Sequence, residues 1–487
     1  MERSANATHL SIKQVGSPQL STLGTRTAML RSQIRPKPRE CRKAVLAAAT
    51  LGLLLTVVPG RPPAAAETPP TVATDFVPGT TITAQNWANY GQYMSEGLVA
   101  LFEGRQFWRK PADIQIAVGP SISTPLPKKY QDDTAKYADS VRLVKTPDGG
   151  YVPVGYVAGL PFPHPLDGER SLIGQRVFWD SYYRYQPRVQ AAPNFTYSLD
   201  RFGNMTQNSE DRTVISQLAF LSDIGMPQTI ADSGGYYAVK YYQEIAPEQD
   251  KYSTVLDLAP ADPTKLDELY EYVPSLRRLS QAARCAPLFG SDYLIDDENY
   301  GPPGLPQLFQ IDYLGARKIL VLAHANPAGF ELPGGPAQLD PNYYYPGALA
   351  LTPFPKPMLG NWELRDTYAL SLRRLAHAAA GYCYSRRVMY VDQQNYFGAG
   401  AVDLYDPSGR LFKAQFVFLY PVAIPGTDGD VADLVAGPSV GFLVNFLDKH
   451  VTASVGLAAC LNTTCARGGY LDIHRYAIPD GLARIVQ

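Results

Sequence analysis

The 487-residue sequence predicts an α+β protein, mostly antiparallel β, and three observations predict it. Segments of alternating polarity recur along the chain, helical periodicity is confined to a few places, and 32 tyrosines supply rings that suit strands. Strands with rings on both faces can pack one face on helices and line a cavity or concave surface with the other.

The N-terminus reads as an export signal. Arg31, Arg35, Lys37, Arg39, Arg42 and Lys43 form a basic region ahead of an apolar run from Ala44 to Val58. That run matches a signal-peptide core and is short for a bilayer span, and Ala64-Ala65-Ala66 supplies small residues for cleavage near Ala66/Glu67. The expected layout is a signal peptide with an extended lead over 1–66, a Pro/Thr-rich tether over 67–80 and a single large domain over 81–487. The protein is then periplasmic or otherwise exported. An uncleaved anchor is the competing reading, Met29 competes with Met1 as the start, and Cys41 stands ahead of the apolar core, where acylation would need it behind. Cleavage removes 10 of 44 Lys+Arg and 2 of 45 Asp+Glu, leaving 34 against 43, a net charge of −9. Such a chain repels phosphate backbones and anionic lipid surfaces, which argues against nucleic-acid binding but permits a lipid tail in a pocket.

Thr83 to Phe102 keeps apolar residues at 3–4 spacing behind a Thr cap and predicts a helix. Asp262–Ala283, interrupted at Pro274, and Arg212–Leu221 predict two more. Arg176–Tyr185 alternates, with Val177, Trp179, Ser181, Tyr183 and Tyr185 on one face of a strand. Phe195, Tyr197 and Leu199 alternate in a second strand. Phe309, Ile311 and Tyr313 do so in a third, which Gly315-Ala316-Arg317 turns into the run Ile319–Leu322. Ala401–Tyr405 and Arg410–Leu419 flank Asp406-Pro407-Ser408-Gly409 as a hairpin. Pro327–Pro357, with Tyr343, Tyr344 and Tyr345, reads as one long loop or lid.

Cys285, Cys383, Cys460 and Cys465 remain after cleavage, and an even count in an oxidising compartment points to disulfides. Cys460 and Cys465 can close a small loop, whereas sequence leaves open whether Cys285 pairs with Cys383. Neither C-x-x-C nor His spacing supports zinc.

Three motifs carry a family resemblance. The first is Gly159-Leu160-Pro161-Phe162-Pro163 with Gly168 and Val177-Phe178-Trp179-Asp180. The second is Tyr272-Val273-Pro274-Ser275-Leu276-Arg277-Arg278-Leu279 leading to Gly290-Ser291-Asp292 and Asp296-Asp297. The third joins Trp362-Glu363-Leu364-Arg365, Arg386–Asp392 and Tyr405–Gly409. Together they resemble domain-of-unknown-function family 1329, a family of exported bacterial proteins, over roughly 85–475. The resemblance implies the fold of the lipoprotein carriers LolA and LolB: an incomplete, half-open antiparallel barrel wrapped around a few helices, with an apolar cavity. It also implies association with an RND-type exporter or an outer-membrane protein, and it brings no catalytic residues.

The leading expectation is a non-enzymatic carrier of a lipid or other apolar molecule, without a cofactor. An adaptor that docks on an exporter without cargo is the alternative. Strand parity nominates Trp179, Tyr183, Phe309 and Tyr313 as cavity lining or, equally, plain core. Asp292, Asp296 and Asp297 form the densest acidic cluster. It reads as a solvated loop, a loop salt-bridged to Arg277 and Arg278, or a cation loop, although its spacing fails an EF-hand. The pairs Arg277-Arg278, Arg373-Arg374 and Arg386-Arg387 could meet headgroups or those acids. Gly437-Pro438-Ser439-Val440-Gly441 matches a nucleophile elbow, with His450, Asp472 and His474 downstream, so a serine hydrolase using Ser439 is the third reading. The surrounding alternation does not build the parallel βα scaffold an elbow needs.

Overall fold

Antiparallel pairing between neighbouring segments organises most of the chain. The computed structural model describes residues 78–105, 115–121, 123–202, 205–297, 303–325, 360–423, 434–456 and 460–484. The segment 1–66, most of the tether 67–80 and the Pro327–Pro357 stretch lie outside the described residues. Strands β1 (Thr81–Thr83) and β2 (Gln115–Ala117) form one small ribbon, and β3 (Arg142–Lys145) and β4 (Tyr151–Val154) another. Among the described residues the main sheet has 14 strands. One meander runs through β5 (Val189–Leu199), β6 (Met205–Gln217), β7 (Tyr236–Ala246), β8 (Thr254–Pro260), β9 (Glu268–Val273) and β10 (Arg278–Gln281). A second runs through β11 (Phe309–Ala325), β12 (Gly360–Arg374), β13 (Arg386–Asp392), β14 (Val402–Tyr405), β15 (Leu411–Ala423), β16 (Leu434–Asn445) and β17 (His450–Gly456). Strand β17 lies antiparallel to β5, joining the meanders, and β18 (Cys460–Leu461) extends the β5 pairing. The end strands β10 and β11 do not pair with each other, so the sheet stays open.

Helices are few: α1 (Glu96–Phe102), α2 (Lys128–Tyr137), α3 (Ile173–Tyr182), α4 (Ile473–Tyr476) and α5 (Pro479–Arg484) are described. Helix α3 covers one face of the second meander, against Phe309, Ile311, Leu370, Leu372, Met389 and Leu404. The opposite face packs on α1 through Phe195, Phe416 and Phe442. Near the first meander, that same face is covered by the C-terminal segment, where Tyr476 and Leu482 meet Val239 and Leu256.

Several sequence expectations are corrected. Arg176–Tyr182 belongs to α3 rather than a strand, and Tyr183–Tyr185 follow the helix outside any strand. Nearly every residue from Ile173 to Ser181 is buried, so no polar stripe marks the helical period. Arg212–Leu221 falls largely in β6, and Asp262–Ala283 forms the β9–β10 hairpin, turning at Pro274–Leu276. The Pro274 interruption was the turn itself. The helix from Thr83 is a 3-10 stretch, Trp87–Tyr93, followed by α1, whose cap is Ser95, with its Oγ accepting from Leu98 N. Asp403 also holds that end, accepting from Glu96 N at 2.9 Å and Gly97 N at 2.8 Å. Gly315 does not turn the chain: β11 runs through it with a bulge after Tyr313, and Gly315 takes the positive φ the bulge requires, +114°. The Asp406–Gly409 hairpin forms as expected. Asp406 Oδ1 accepts from the backbone N–H of Ser408 and of Arg410, each at 2.9 Å.

Gly174 sets how closely α3 lies on β11. A Cβ there would sit 2.6 Å from Ile311 O and 3.0 Å from Tyr313 N. Neither backbone atom can swing away, so the helix must lift. Gly174→Ala is therefore expected to lose about 2–3 kcal/mol by denaturant unfolding, despite the better helix propensity of alanine.

Candidate functional site: a plugged sheet face and an amphipathic cleft

Residues 282–297, which follow β10, do not cross open solvent. They lie across the sheet face that also carries α3, and four sets of contacts fasten them. Cys285 is disulfide-bonded to Cys383, with Cα atoms 5.6 Å apart. Arg284 reaches Asp257 at 3.0 Å and Asp267 at 3.2 Å. Arg387 reaches Asp296 at 2.9 Å and Asp297 at 3.3 Å. Asp292 accepts from Asn445 Nδ2 at 2.8 Å and from Thr452 Oγ1 at 3.2 Å, and its carbonyl accepts from Lys413 Nζ.

This plug is ionic and dry. Asp296 is 2% exposed, Asp297 1% and Arg387 3%. Tyr382 and Tyr384 donate their hydroxyls to Asp296 and Asp297 respectively. Burial works against the charge of Arg284, but the carboxylates of Asp257, Asp267 and Asp296 outweigh it and hold its pKa above the usual range. Burial wins at Lys413, whose pKa is lowered in spite of Asp297 and Asp292. Asp267 is pushed up to about 6 by burial, against the pull of Arg284.

The acidic cluster is thus neither a solvated loop nor bridged to Arg277 and Arg278, which are exposed at the β9–β10 turn. Its buried partners are Arg284, Arg387 and Lys413. Protein cations, rather than an open ring of oxygens, face Asp296 and Asp297. Among the described residues, no three His, Cys, Asp or Glu side chains gather as a metal site. Of the other arginines, Arg374 lies over the Phe309 ring at 4.1 Å and Arg386 over Tyr405 at 3.9 Å.

Of the four aromatic positions, Trp179, Tyr183 and Phe309 share one core cluster and Tyr313 packs against it. Trp179 is 0% and Phe309 1% exposed. Trp179 stacks on Tyr183 at 5.6 Å, and Tyr183 on Tyr156 at 4.1 Å. Tyr183 borders a void of about 20 Å³, room for roughly one water rather than a chain. Tyr313 is half-buried beside Tyr368, in mid-strand. The family motifs around these residues brace the fold. Asp180 accepts from Phe162 N at 2.8 Å, and Arg365 pairs with Asp392 at 2.7 Å.

A cleft of about 720 Å³ opens where the plug ends, between β6–β9 and residues 286–295. Val255, Ala286, Phe289 and Ile295 give it an apolar side, and Glu244, Asp250 and Glu271 an acidic one. Phe289 holds φ +47°, a left-handed backbone uncommon for an aromatic. None of Trp179, Tyr183, Phe309 or Tyr313 lines this cleft. Register, not adjacency, builds the cleft, so no local motif marks it in the sequence: β6 and β7 place Asp211 opposite Glu244.

The elbow geometry is absent at Ser439. Its backbone lies inside β16, paired with Leu419 of β15, not at a strand-to-helix turn. Asp472 accepts from His474 N as the cap of α4, and His450 lies 3.7 Å from Asp292. Cys460 and Cys465 are disulfide-bonded across five positions. No described helix is long and apolar enough to cross a membrane.

Fold and site together define an α+β protein built on an open antiparallel sheet, with one face plugged by its own chain beside an amphipathic cleft. Residues 81–452 match the family described as "Protein of unknown function (DUF1329)", and the chain belongs to it. It is similar to an outer membrane lipoprotein-sorting protein domain from Vibrio parahaemolyticus, at 12% identity and TM-score 0.40, covering 64% of this chain and 98% of that one. It is also similar to a DUF1329 family protein from Desulfovibrio piger, at 11% and 0.41, covering 63% and 98%. A LolA superfamily protein from Nitrosomonas europaea is similar at 10% and 0.34, covering 60% and 96%. No functionally curated protein matches.

Proposed function

We propose that the protein is a non-enzymatic binding protein of the cell envelope, which carries a lipid-like or other amphipathic molecule in the cleft beside the plug. The observation that carries this reading is the cleft itself. At about 720 Å³ it falls within the usual range of small-molecule sites, and it has one apolar and one polar side. An acyl chain laid along Val255, Phe289 and Ile295 gains about 0.8 kcal/mol per buried methylene. Two disulfides suit an oxidising compartment, in keeping with export through the basic and apolar segment at 31–58.

The adaptor without cargo has an observation in its favour too, since α3 and the plug fill much of the sheet face that an open-barrel carrier would keep empty. Docking on an RND-type exporter would then be the whole role. Displacement of a fluorescent fatty-acid probe separates the two. Wild-type protein is expected to bind the probe, and Val255→Trp, which fills the cleft from β8, to lose at least tenfold in affinity, about 1.4 kcal/mol. Tyr313→Asp, outside the cleft, should leave the affinity unchanged. A wild-type protein that never binds the probe leaves the adaptor.

A further inference from the structure

Glu244 is the most conspicuous group in the cleft. It is 4% exposed and lines the cavity, yet its carboxyl accepts no hydrogen bond and meets no cation among the described residues. Its backbone is fully engaged: its N–H donates to Ser253 O and its carbonyl accepts from Tyr252 N, each at 2.8 Å. Asp211, directly opposite, contrasts with it. Asn194 Nδ2 donates to one Asp211 oxygen at 2.8 Å and Thr213 Oγ1 to the other at 3.0 Å. Asp211 therefore has its donors inside the protein, and Glu244 has none among the described residues.

A buried carboxylate without a donor or counter-charge is costly, and the neighbours worsen the position. Burial first, then Asp250 and Asp211, push Glu244 up to about 8, while burial pushes Asp211 up to about 7. Among the described residues lining the cleft, none is Lys, Arg or His. Near neutral pH the Glu244 carboxyl keeps its proton, and a ligand that brings positive charge and hydrogen-bond donors into the cleft stabilises its ionised form. Because Val255 and Ile295, both buried, flank the same cavity, that ligand has an apolar part as well. A protonated amine on an apolar chain meets all of these conditions.

We infer that the cleft takes an amphiphile with a primary ammonium head, the head seated against Glu244 and the chain along Val255, Phe289 and Ile295. This rests on the reading of the cleft as a ligand site and adds the chemical class of the head. The ammonium supplies to Glu244 the donors that Asn194 and Thr213 supply to Asp211.

The test titrates the full chain at pH 9, above the raised pKa of Glu244 and below that of the amine, with dodecylammonium and with dodecanoate, each below its micelle concentration. Wild-type protein should bind the ammonium form at least about tenfold tighter, the range of one partly desolvated ion pair. Glu244→Gln should bring the two affinities within about threefold, with an unfolding temperature equal to or above wild type. Val255→Trp should abolish binding of both, which rules out attraction by the acidic surface at large. Equal wild-type affinities, a Glu244→Gln ratio like wild type, or an ammonium preference that survives Val255→Trp would each overturn the inference while the carrier reading stands. Binding of neither amphiphile removes both.

Discussion

Replacing Arg387 with methionine is expected to cost the protein about 3–5 kcal/mol of stability, the largest single effect foreseen. Methionine keeps most of the volume and the packing on Tyr384, whose ring lies 4.8 Å from the guanidinium. What is lost is charge. Asp296 and Asp297 stay buried, and the nearest remaining cations are Arg284 at 3.8 Å and Lys413 at 3.7 Å. Breaking a buried pair costs far more than the pair contributes, because the abandoned partner cannot recover its water. Adding Asp296→Asn to Arg387→Met should therefore restore part of the loss, a coupling that denaturant unfolding of the two single variants and the double reads directly. A single variant within about 1 kcal/mol of wild type would mean that the plug does not depend on this network.

Removing the Cys285–Cys383 bond, as the double serine variant, is expected to cost more than removing Cys460–Cys465 by about 2–3 kcal/mol. The first bond spans 98 positions and the second five, and a cross-link restricts the unfolded chain more when its loop is longer. The first bond also ties the plug to the β12–β13 connection, so its loss should loosen residues 282–297 before the sheet itself. Thermal unfolding of the two double variants gives the comparison. Equal losses would mean that the reduced chain retains enough structure to cancel the loop-length difference.

Part of this fold was legible in the sequence. The turn chemistry of Asp406–Gly409 is local, so the hairpin could be read from four residues. The alternation of Phe195 and Tyr197 survived because one face of β5 meets a core and the other does not. Helix α3 was misread for the opposite reason: with Val177, Phe178, Trp179 and Asp180 all buried, a two-residue and a 3.6-residue period fit equally well. In β6, Arg212–Leu221 likewise offered a helical spacing that its partners β5 and β7 overrode.

The site was harder to see. The acids at 292–297 stand out as a cluster, but two of their three cations, Arg387 and Lys413, lie 91 and more positions onward in β13 and β15, and one sequence does not show such pairings. The nearer Arg277-Arg278 attracted the assignment by proximity alone. Glu244 carried no signal of its own, because its significance comes from what the ladder places opposite it and from what it lacks.

The central claim is that apolar cargo lies in the cleft beside the plug and not among the rings under α3. Photolabelling tests it most directly: the purified full chain is irradiated with a diazirine-bearing fatty acid, and the labelled peptides are mapped by mass spectrometry. Label is expected within residues 253–255 and 286–295. Label on the Phe309–Tyr313 segment or around Trp179, or no label competed by unlabelled fatty acid, would contradict it.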